Sequence, residues 1–240
     1  MKIKNIIALT DFSDSSTNAA LYAANLLQEG SLNVTLVNVD EKPVHKAAML
    51  ISFDDILGKS SEIELKKQTE QLTYLFNNDK ISIATYSGKG DLKKIINSFA
   101  GHNEVQLIVS GMPSLRGLPK SPLLFLGRDK CPILLVPDKC SFKPLEEIVF
   151  VHNGSSGQPS IGKTFINIIP RNEMESPGMK THDRNIENIT STVLQTIISE
   201  YGADMAVIIP TPGNKTDMAI LDYRIKDLIP PVDSILINLN

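Results

Sequence analysis

The chain has 240 residues, 42% of them hydrophobic, enough to build a real core as one large or two small domains. Its net charge of −3 leaves no basic footprint, which argues against a nucleic-acid partner. The two cysteines, Cys131 and Cys140, form no C-x-x-C pair, so neither a disulfide framework nor a structural zinc is expected and inert buried thiols are the reading.

Met1 to Asn5 run straight into a strand pattern with no basic-then-apolar leader, and no apolar run reaches membrane-spanning length. A cytoplasmic protein with no membrane partner is the expectation. Ile6 to Thr10 reads as a buried strand that ends on Asp11 and turns at once into a Ser/Asp-capped helix. Asp14 is well placed as that cap. The helix puts Ala20, Ala23, Ala24 and Leu27 on one face, and Gly30 stops it.

Asn33 to Val39 follows as a strand rich in valine and leucine. Asp54 to Asn78 is charged, with Leu65, Leu72, Leu75 and Phe76 at helical spacing, and leads into a short strand, Ile81 to Tyr86. Gly88-Lys89-Gly90-Asp91 turns the chain. Asp91 can then cap a helix carrying Leu92, Ile95, Ile96 and Phe99, with Gly101 at its end. Val105 to Ser110 is a strand, and after a Gly/Pro-rich loop Pro132 to Val136 is another. Alternation of strand and helix with near-continuous apolar strands predicts an α/β fold, an open doubly wound parallel sheet covered on both faces.

Residues 146–240 read as a worn, shortened copy of this unit. Glu146 to Asn153 lines up with Lys4 to Asp11 and puts Asn153 where Asp11 stands. Asp204 to Ile209 matches the strand at Val105 to Ser110, and Ser234 to Leu239 matches Pro132 to Val136. Ile186, Ile189, Val193, Leu194, Ile197, Ile198 and Tyr201 mark an amphipathic helix in the third-helix position, while Lys163 to Ile169 reads as a strand. Arg171 to Arg184, with Pro177 and Gly178 and no apolar period, reads as a loop. The expected boundaries are a first domain at 1–140 and a degenerate second repeat at 141–240. The open sheets should join through Pro132–Val136 and Ser234–Leu239 with a pseudo-two-fold, and a homodimer is a further expectation.

Ile6–Asp11, Gly88–Asp91, Leu107–Gly111, Gly117-Leu118 and Cys131–Val136 fall, in that order, as they do in universal stress proteins, which the first half resembles along nearly its full length. The resemblance implies a five-stranded parallel sheet per repeat, paired through last strands. It also implies a site, since many members of the family bind ATP. They use an aspartate after the first strand, backbone groups after the second, and a G-x-x-G-x9-G-[ST] loop after the fourth. Asp11 matches the aspartate, Val39 sits at the second-strand end, and Gly111 matches the first loop glycine. The second glycine falls on Ser114 and the Gly-[ST] pair on Leu124-Phe125, with Gly127-Arg128 nearby at a shifted spacing.

Such a loop holds phosphate through a nest of backbone N–H groups and a helix N-terminus, and Pro113, Pro119 and Pro122 have no N–H to give. The candidate crevice is therefore Asp11, Ser13, Val39, Gly111, Ser114 and Gly127, with ATP as the implied cofactor and an eroded hold on its phosphates. Two functions follow. One is a non-catalytic stress-response module sensing a small molecule or partner; the alternative is an adenine-nucleotide-binding protein or weak ATPase that retains the Asp11 crevice.

Other motifs carry less. Gly157 to Thr164 spells G-x-x-x-x-G-K-[ST], but a P-loop needs a long helix after Lys163-Thr164, and Phe165 to Pro170 is β-rich and ended by proline. His45, His102, His152 and His182 have no i, i+4 partner, so no metal site is expected. Ser13 and Ser110-Gly111 form no G-x-S-x-G elbow, and no nucleophile–base pair, hence no catalytic residue, can be read.

Overall fold

The computed structural model describes residues 4–27, 30–40, 53–90, 92–103, 105–111, 133–137, 140, 142, 145–152, 180–185, 191–209 and 234–237. In chain order they form β1 (Lys4–Leu9), α1 (Asp14–Leu26), β2 (Leu32–Asp40), α2 (Phe53–Phe76), β3 (Ile81–Lys89), α3 (Leu92–Asn103), β4 (Leu107–Gly111) and β5 (Ile133–Val136). After these come β6 (Glu147–His152), β7 (Lys180–Asn185), α4 (Ser191–Tyr201), β8 (Met205–Ile209) and β9 (Ser234–Ile237).

All nine strands lie in one sheet, in the order β3-β2-β1-β4-β5-β9-β8-β6-β7. Every neighbouring pair is parallel except β5 and β9, which run antiparallel with Leu134 opposite Leu236. The expected union of the two last strands is thus the one that forms. On either side of it the order is alike: β4, β1 and β2 lead away from β5 as β8, β6 and β7 lead away from β9.

Burial on both faces explains why the inner strands read as unbroken apolar runs. Ile6 and Ala8 of β1 and Val34 and Leu36 of β2 point to one face, where they meet Ala20, Ala23 and Ala24 of α1 and Leu65 and Leu72 of α2. The alanines let α1 lie close to the sheet. Ile7, Leu9 and Val37 point to the other face and pack with Ile96 of α3.

Four expectations need correction. Within residues 171–184, read as a loop, Lys180 begins β7, a six-residue strand paired with β6. It escapes a hydrophobic reading because it is a sheet edge with an exposed or half-exposed pattern throughout, held by ladder bonds and charged side chains instead of apolar burial. β3 continues through Gly88 to Lys89, and the turn falls on Gly90, whose φ of +132° suits only glycine. On α2, Leu75 is 46% exposed; the buried stripe is Ser61, Leu65, Gln68 and Leu72, so a glutamine stands where the leucine pattern suggested apolar contact. Finally, the cap of α1 is Ser13, with Asp14 the first helical residue. The strand expected at 164–169, together with Asp91, Ile186, Ile189 and Asn153, lies outside the described residues.

Candidate functional site

β1 stands between β2 and β4, where the chain's connections leave to opposite sides, so the carboxyl ends of β1 and β4 frame the crevice at which open α/β sheets take ligands. The turn leaving β1 is built with unusual care. Phe12 adopts φ +66°, a left-handed conformation that a bulky residue avoids and that costs on the order of 1–3 kcal/mol. It is held there by its N–H donating to Thr10 Oγ1 at 2.9 Å. Asp11, next to it, is exposed; its Oδ1 accepts from the Ser13 N–H at 3.1 Å and the Ser13 hydroxyl at 2.6 Å.

Ser13 in turn accepts at its Oγ from the Ser16 N–H at 3.2 Å, the N-cap bond of α1. Its hydroxyl proton and its cap lone pair are both engaged, so Ser13 orients the Asp11 carboxylate and starts the helix at once.

Beneath this turn lies a neutral polar cluster that the sequence reading missed. Thr10 donates from Oγ1 to Gln68 Oε1 at 2.7 Å, and Gln68 Nε2 donates to Thr17 Oγ1 at 2.8 Å and to Ser16 Oγ at 3.3 Å. Ser16 donates to the Ser13 carbonyl at 2.8 Å, and Thr17 to the same carbonyl at 3.2 Å. All four side chains are buried. One glutamine of α2 thereby ties the end of β1 to the first turn of α1. Its signal in the sequence was a polar residue on the Leu65/Leu72 stripe, where an apolar one would pack.

Val39 is the last residue but one of β2. β1 pairs with β2 only as far as Leu9 opposite Val37, plus one bond from Thr10 N–H to the Val37 carbonyl at 3.0 Å. β2 continues to Asp40 beside β3. Since alternate residues of a parallel strand bond to the same neighbour, Val39 presents toward β1 the backbone edge that Val37 used, past the point where β1 has left the ladder. Asn38, just before it, donates from Nδ2 to the Thr10 carbonyl at 2.9 Å.

Gly111 closes the β4 side. A Cβ there would stand 2.6 Å from Ser15 Oγ and 2.9 Å from the Ser15 carbonyl oxygen, so glycine is what lets the start of α1 reach the β4 end. Asp11, Ser13, Val39 and Gly111 thus lie at or just beyond the carboxyl ends of the neighbouring strands β1, β2 and β4. Ser114 and Gly127 lie outside the described residues. Two grooves lie elsewhere: one of about 440 Å³ between Asn5, Asn33, Ser82 and Phe99, and one of about 610 Å³ between α2 and β3. Neither includes a strand-end residue of the crevice, and the first is lined by the Asn5–Asn33–Ser82 side-chain ladder, which is bonded within itself.

A second polar group sits at the opposite sheet edge. Glu147 accepts from Lys180 at 2.8 Å and lies 2.7 Å from His182, whose ring stacks 4.1 Å from that of Tyr201. The Lys180 ammonium first, and His182 second, hold the Glu147 carboxyl below its ordinary range, and Glu147 raises Lys180 in return. Arg184 lies over the same tyrosine, 5.0 Å from its centroid, and pairs with Glu200. These are the ion pairs of an exposed edge. Among the described residues no group of three or more His, Cys, Asp or Glu could hold a metal, and no helix is long and apolar enough to cross a membrane.

A parallel α/β sheet with a carboxylate at the end of its first strand and a close-packed glycine at the end of its fourth defines the class to which comparison with known proteins leads. Residues 2–125 match the universal stress protein family, and the chain belongs to that family. Among solved structures, a universal stress protein from Archaeoglobus fulgidus is similar over 98% of this chain and 95% of its own, with 12% identity and a TM-score of 0.62. A functionally unknown protein from Pseudomonas aeruginosa is similar over 98% of this chain and 92% of its own, at 11% identity and a TM-score of 0.49. A universal stress protein from Lactobacillus plantarum covers 55% of this chain and 96% of its own, at 20% identity and a TM-score of 0.41. No curated protein matches the sequence.

Proposed function

We propose that this universal stress protein is a non-catalytic binding module whose Asp11 crevice takes the nucleoside end of an adenine nucleotide, with little contribution from the phosphates. The observation that carries the reading is one place where an exposed, oriented carboxylate and the unladdered edge of Val39 meet at the reversal of strand order. A carboxylate is a strong acceptor for ribose hydroxyls, and a backbone edge offers a donor and an acceptor to the rim of a base.

The phosphate end has no such support in the sequence. Pro113, Pro119 and Pro122 remove N–H donors from the segment after β4, and Leu124-Phe125 occupy the Gly-[ST] positions. Asp11 and Asp14 add negative charge beside α1's N-terminus, which repels an anion there. Ser114 and Gly127 complete the loop side of the crevice in this reading. Residues 1–140 form the binding domain, and 141–240 are a shortened second copy that contributes β9 to the pairing with β5.

Calorimetric titration of adenosine and of ATP tests it, using the parent and Asp11→Ala. Adenosine and ATP should bind the parent within about threefold of each other, and Asp11→Ala should weaken both by about tenfold or more, the worth of a charge-assisted hydrogen bond. No binding of either ligand, or binding untouched by Asp11→Ala, would sink the proposal, and turnover of ATP to ADP would replace it with the ATPase alternative.

A further inference from the structure

We propose that the outer edge of β3 docks a second copy of this chain, the two β3 strands pairing antiparallel about a two-fold axis through Ala84 and joining two nine-stranded sheets into one. The pairing does not depend on what the strand-end crevice binds.

β3 and β7 end the sheet, and each leaves a row of backbone N–H and C=O groups outside the ladders formed among the described residues. Their side chains treat that row differently. β7 is Lys-Thr-His-Asp-Arg-Asn, with the charges that edge strands use to turn a partner away. β3 is Ile-Ser-Ile-Ala-Thr-Tyr-Ser-Gly-Lys, nine residues against six, with no proline and its one charge at the last position. An edge of that length and composition is a template for another strand. The parallel ladder fixes which residues offer it. The Leu32 N–H donates to the Lys80 carbonyl at 2.9 Å, so even-numbered residues of β3 bond toward β2, and Ile83, Thr85 and Ser87 turn their backbone groups outward.

Symmetry and charge identify the occupant. With Ala84 on the axis, Ile83 lies opposite the partner's Thr85, Ile81 opposite the partner's Ser87, and Asp79 opposite the partner's Lys89. This register sets outward-turned residues against one another, as an antiparallel ladder requires, and it forms the exposed Asp79–Lys89 pair twice. An axis through Thr85 would instead set Ile81 against Lys89. The layers above and below leave room for the second copy. Leu65 and Leu72 of α2 pack with Val34 and Leu36 of β2 as well as with Ile81 and Ile83, so α2 lies inboard of the edge. Strands about 4.8 Å apart then hold the two α2 helices near the roughly 8–10 Å at which helices pack. The flank of α2 beside β3 carries Glu62, Lys66 and Glu70, a mixed-sign surface that meets its own two-fold image without a block of like charge. On the other face, Ile96 of α3 packs with β1 and β2, and Ala84 is small and exposed. β5 and β9 already occupy one another within the chain, so this edge is the one left for assembly by strand pairing.

The mass of the full chain, measured by light scattering and sedimentation over a concentration series, tests the proposal. The parent should reach a two-chain mass. Thr85→Pro removes an outward N–H and no bond to β2, so it should keep the parent's circular dichroism and run as one chain. Lys89→Asp sets carboxylates opposite each other twice and should weaken association by about tenfold or more. Adding Asp79→Lys to it rebuilds both pairs with their signs exchanged and should restore the two-chain mass; this swap changes no backbone group and decides the matter if the proline variant does not fold. A one-chain mass for the parent at every concentration overturns the proposal. So does a dimer that the folded Thr85→Pro and Lys89→Asp proteins keep, since another face would then carry it. A charge swap that fails to restore association overturns the Ala84 register, and with it the pairing proposed.

Discussion

The end of β1 and the edge strand β7 both concentrate polar side chains, and they stabilise them by opposite means. At β1 the groups are neutral and buried: Thr10, Ser16, Thr17 and Gln68 satisfy one another within the α1/α2 layer. At β7 they are charged and largely open to water: Lys180 is 68% exposed in its side chain and Glu200 50%. A buried neutral network is stable only when each member has its partner, and removing one leaves the rest unsatisfied in a medium that does not forgive it. An exposed ion pair gains little, because water and salt compete for both charges. Charged side chains on the far edge guard it against further strand pairing.

Breaking the network should have the largest effect. Gln68→Leu removes the acceptor of Thr10 and the donors to Thr17 and Ser16 at once, and should lower unfolding free energy in urea by about 2–4 kcal/mol. A loss below about 1 kcal/mol would show that the hydroxyls rewire among themselves and that the glutamine is dispensable.

Gly111→Ala comes next. Its new methyl meets the backbone oxygen of Ser15 as well as the hydroxyl, so a rotamer change cannot relieve it. Overpacking at such a site costs about 1–3 kcal/mol, and the displaced α1 should carry Asp11 with it, so adenosine affinity should fall in parallel with stability. A stable variant with unchanged affinity would show that the close approach of α1 to β4 does not shape the crevice.

Ser13→Ala removes the N-cap acceptor and one of the donors on Asp11; a destabilisation of about 1 kcal/mol is expected by thermal or urea melting. Ser13→Asp, which keeps a capping oxygen, should restore stability while placing a second carboxylate beside Asp11, and so should not restore binding.

The β7 edge should respond least, and only to pH and salt. Glu147 has its folded pKa lowered, by Lys180 first and His182 second, so its stabilisation is complete above the unfolded value near about 4.3 and is lost as pH falls through the folded value. Lys180 is raised, so its share is complete below about 10.4 and is lost as pH rises through the folded value. Between those limits Glu147 and Lys180 are both charged and their ion pair is intact. Comparing urea midpoints of the parent and Glu147→Gln at pH 7 and again in acid checks the sign: the difference should shrink in acid and at high salt. A Glu147→Gln effect larger than that of Gln68→Leu would reverse the comparison between the two regions.

How far each region was legible follows from the same contrast. β1, β4 and β5 were readable because a strand buried on both faces must be apolar at nearly every position, and Ile6–Leu9 or Ile133–Val136 has no other reading. Lys180–Asn185 has no such signature, since an edge strand is free to be Lys-Thr-His-Asp-Arg-Asn. Leu75 misled for the complementary reason: helical spacing alone does not say which of two neighbouring stripes faces the sheet. The place of Asp11 directly after an apolar strand was legible, whereas Asn38 was silent and Gln68 showed only as a polar residue on an apolar stripe. A buried amide is identified by what it bonds to, and its partners here are 28 and 58 residues away along the chain.

By itself, then, the sequence determined the alternation of strands and helices, the family, and the carboxylate at the end of the first strand, because those depend on local pattern and on which side chains can be buried. Tertiary structure decided the rest. It made Ser13 and not Asp14 the cap, set Gln68 as the clamp between β1 and α1, required glycine at 111 by bringing Ser15 against it, and left one oxygen of Asn38 without a donor. Each of these turns on the distance between atoms far apart in the chain, and a hydrogen bond or a steric clash is determined by tenths of an ångström that no linear pattern encodes.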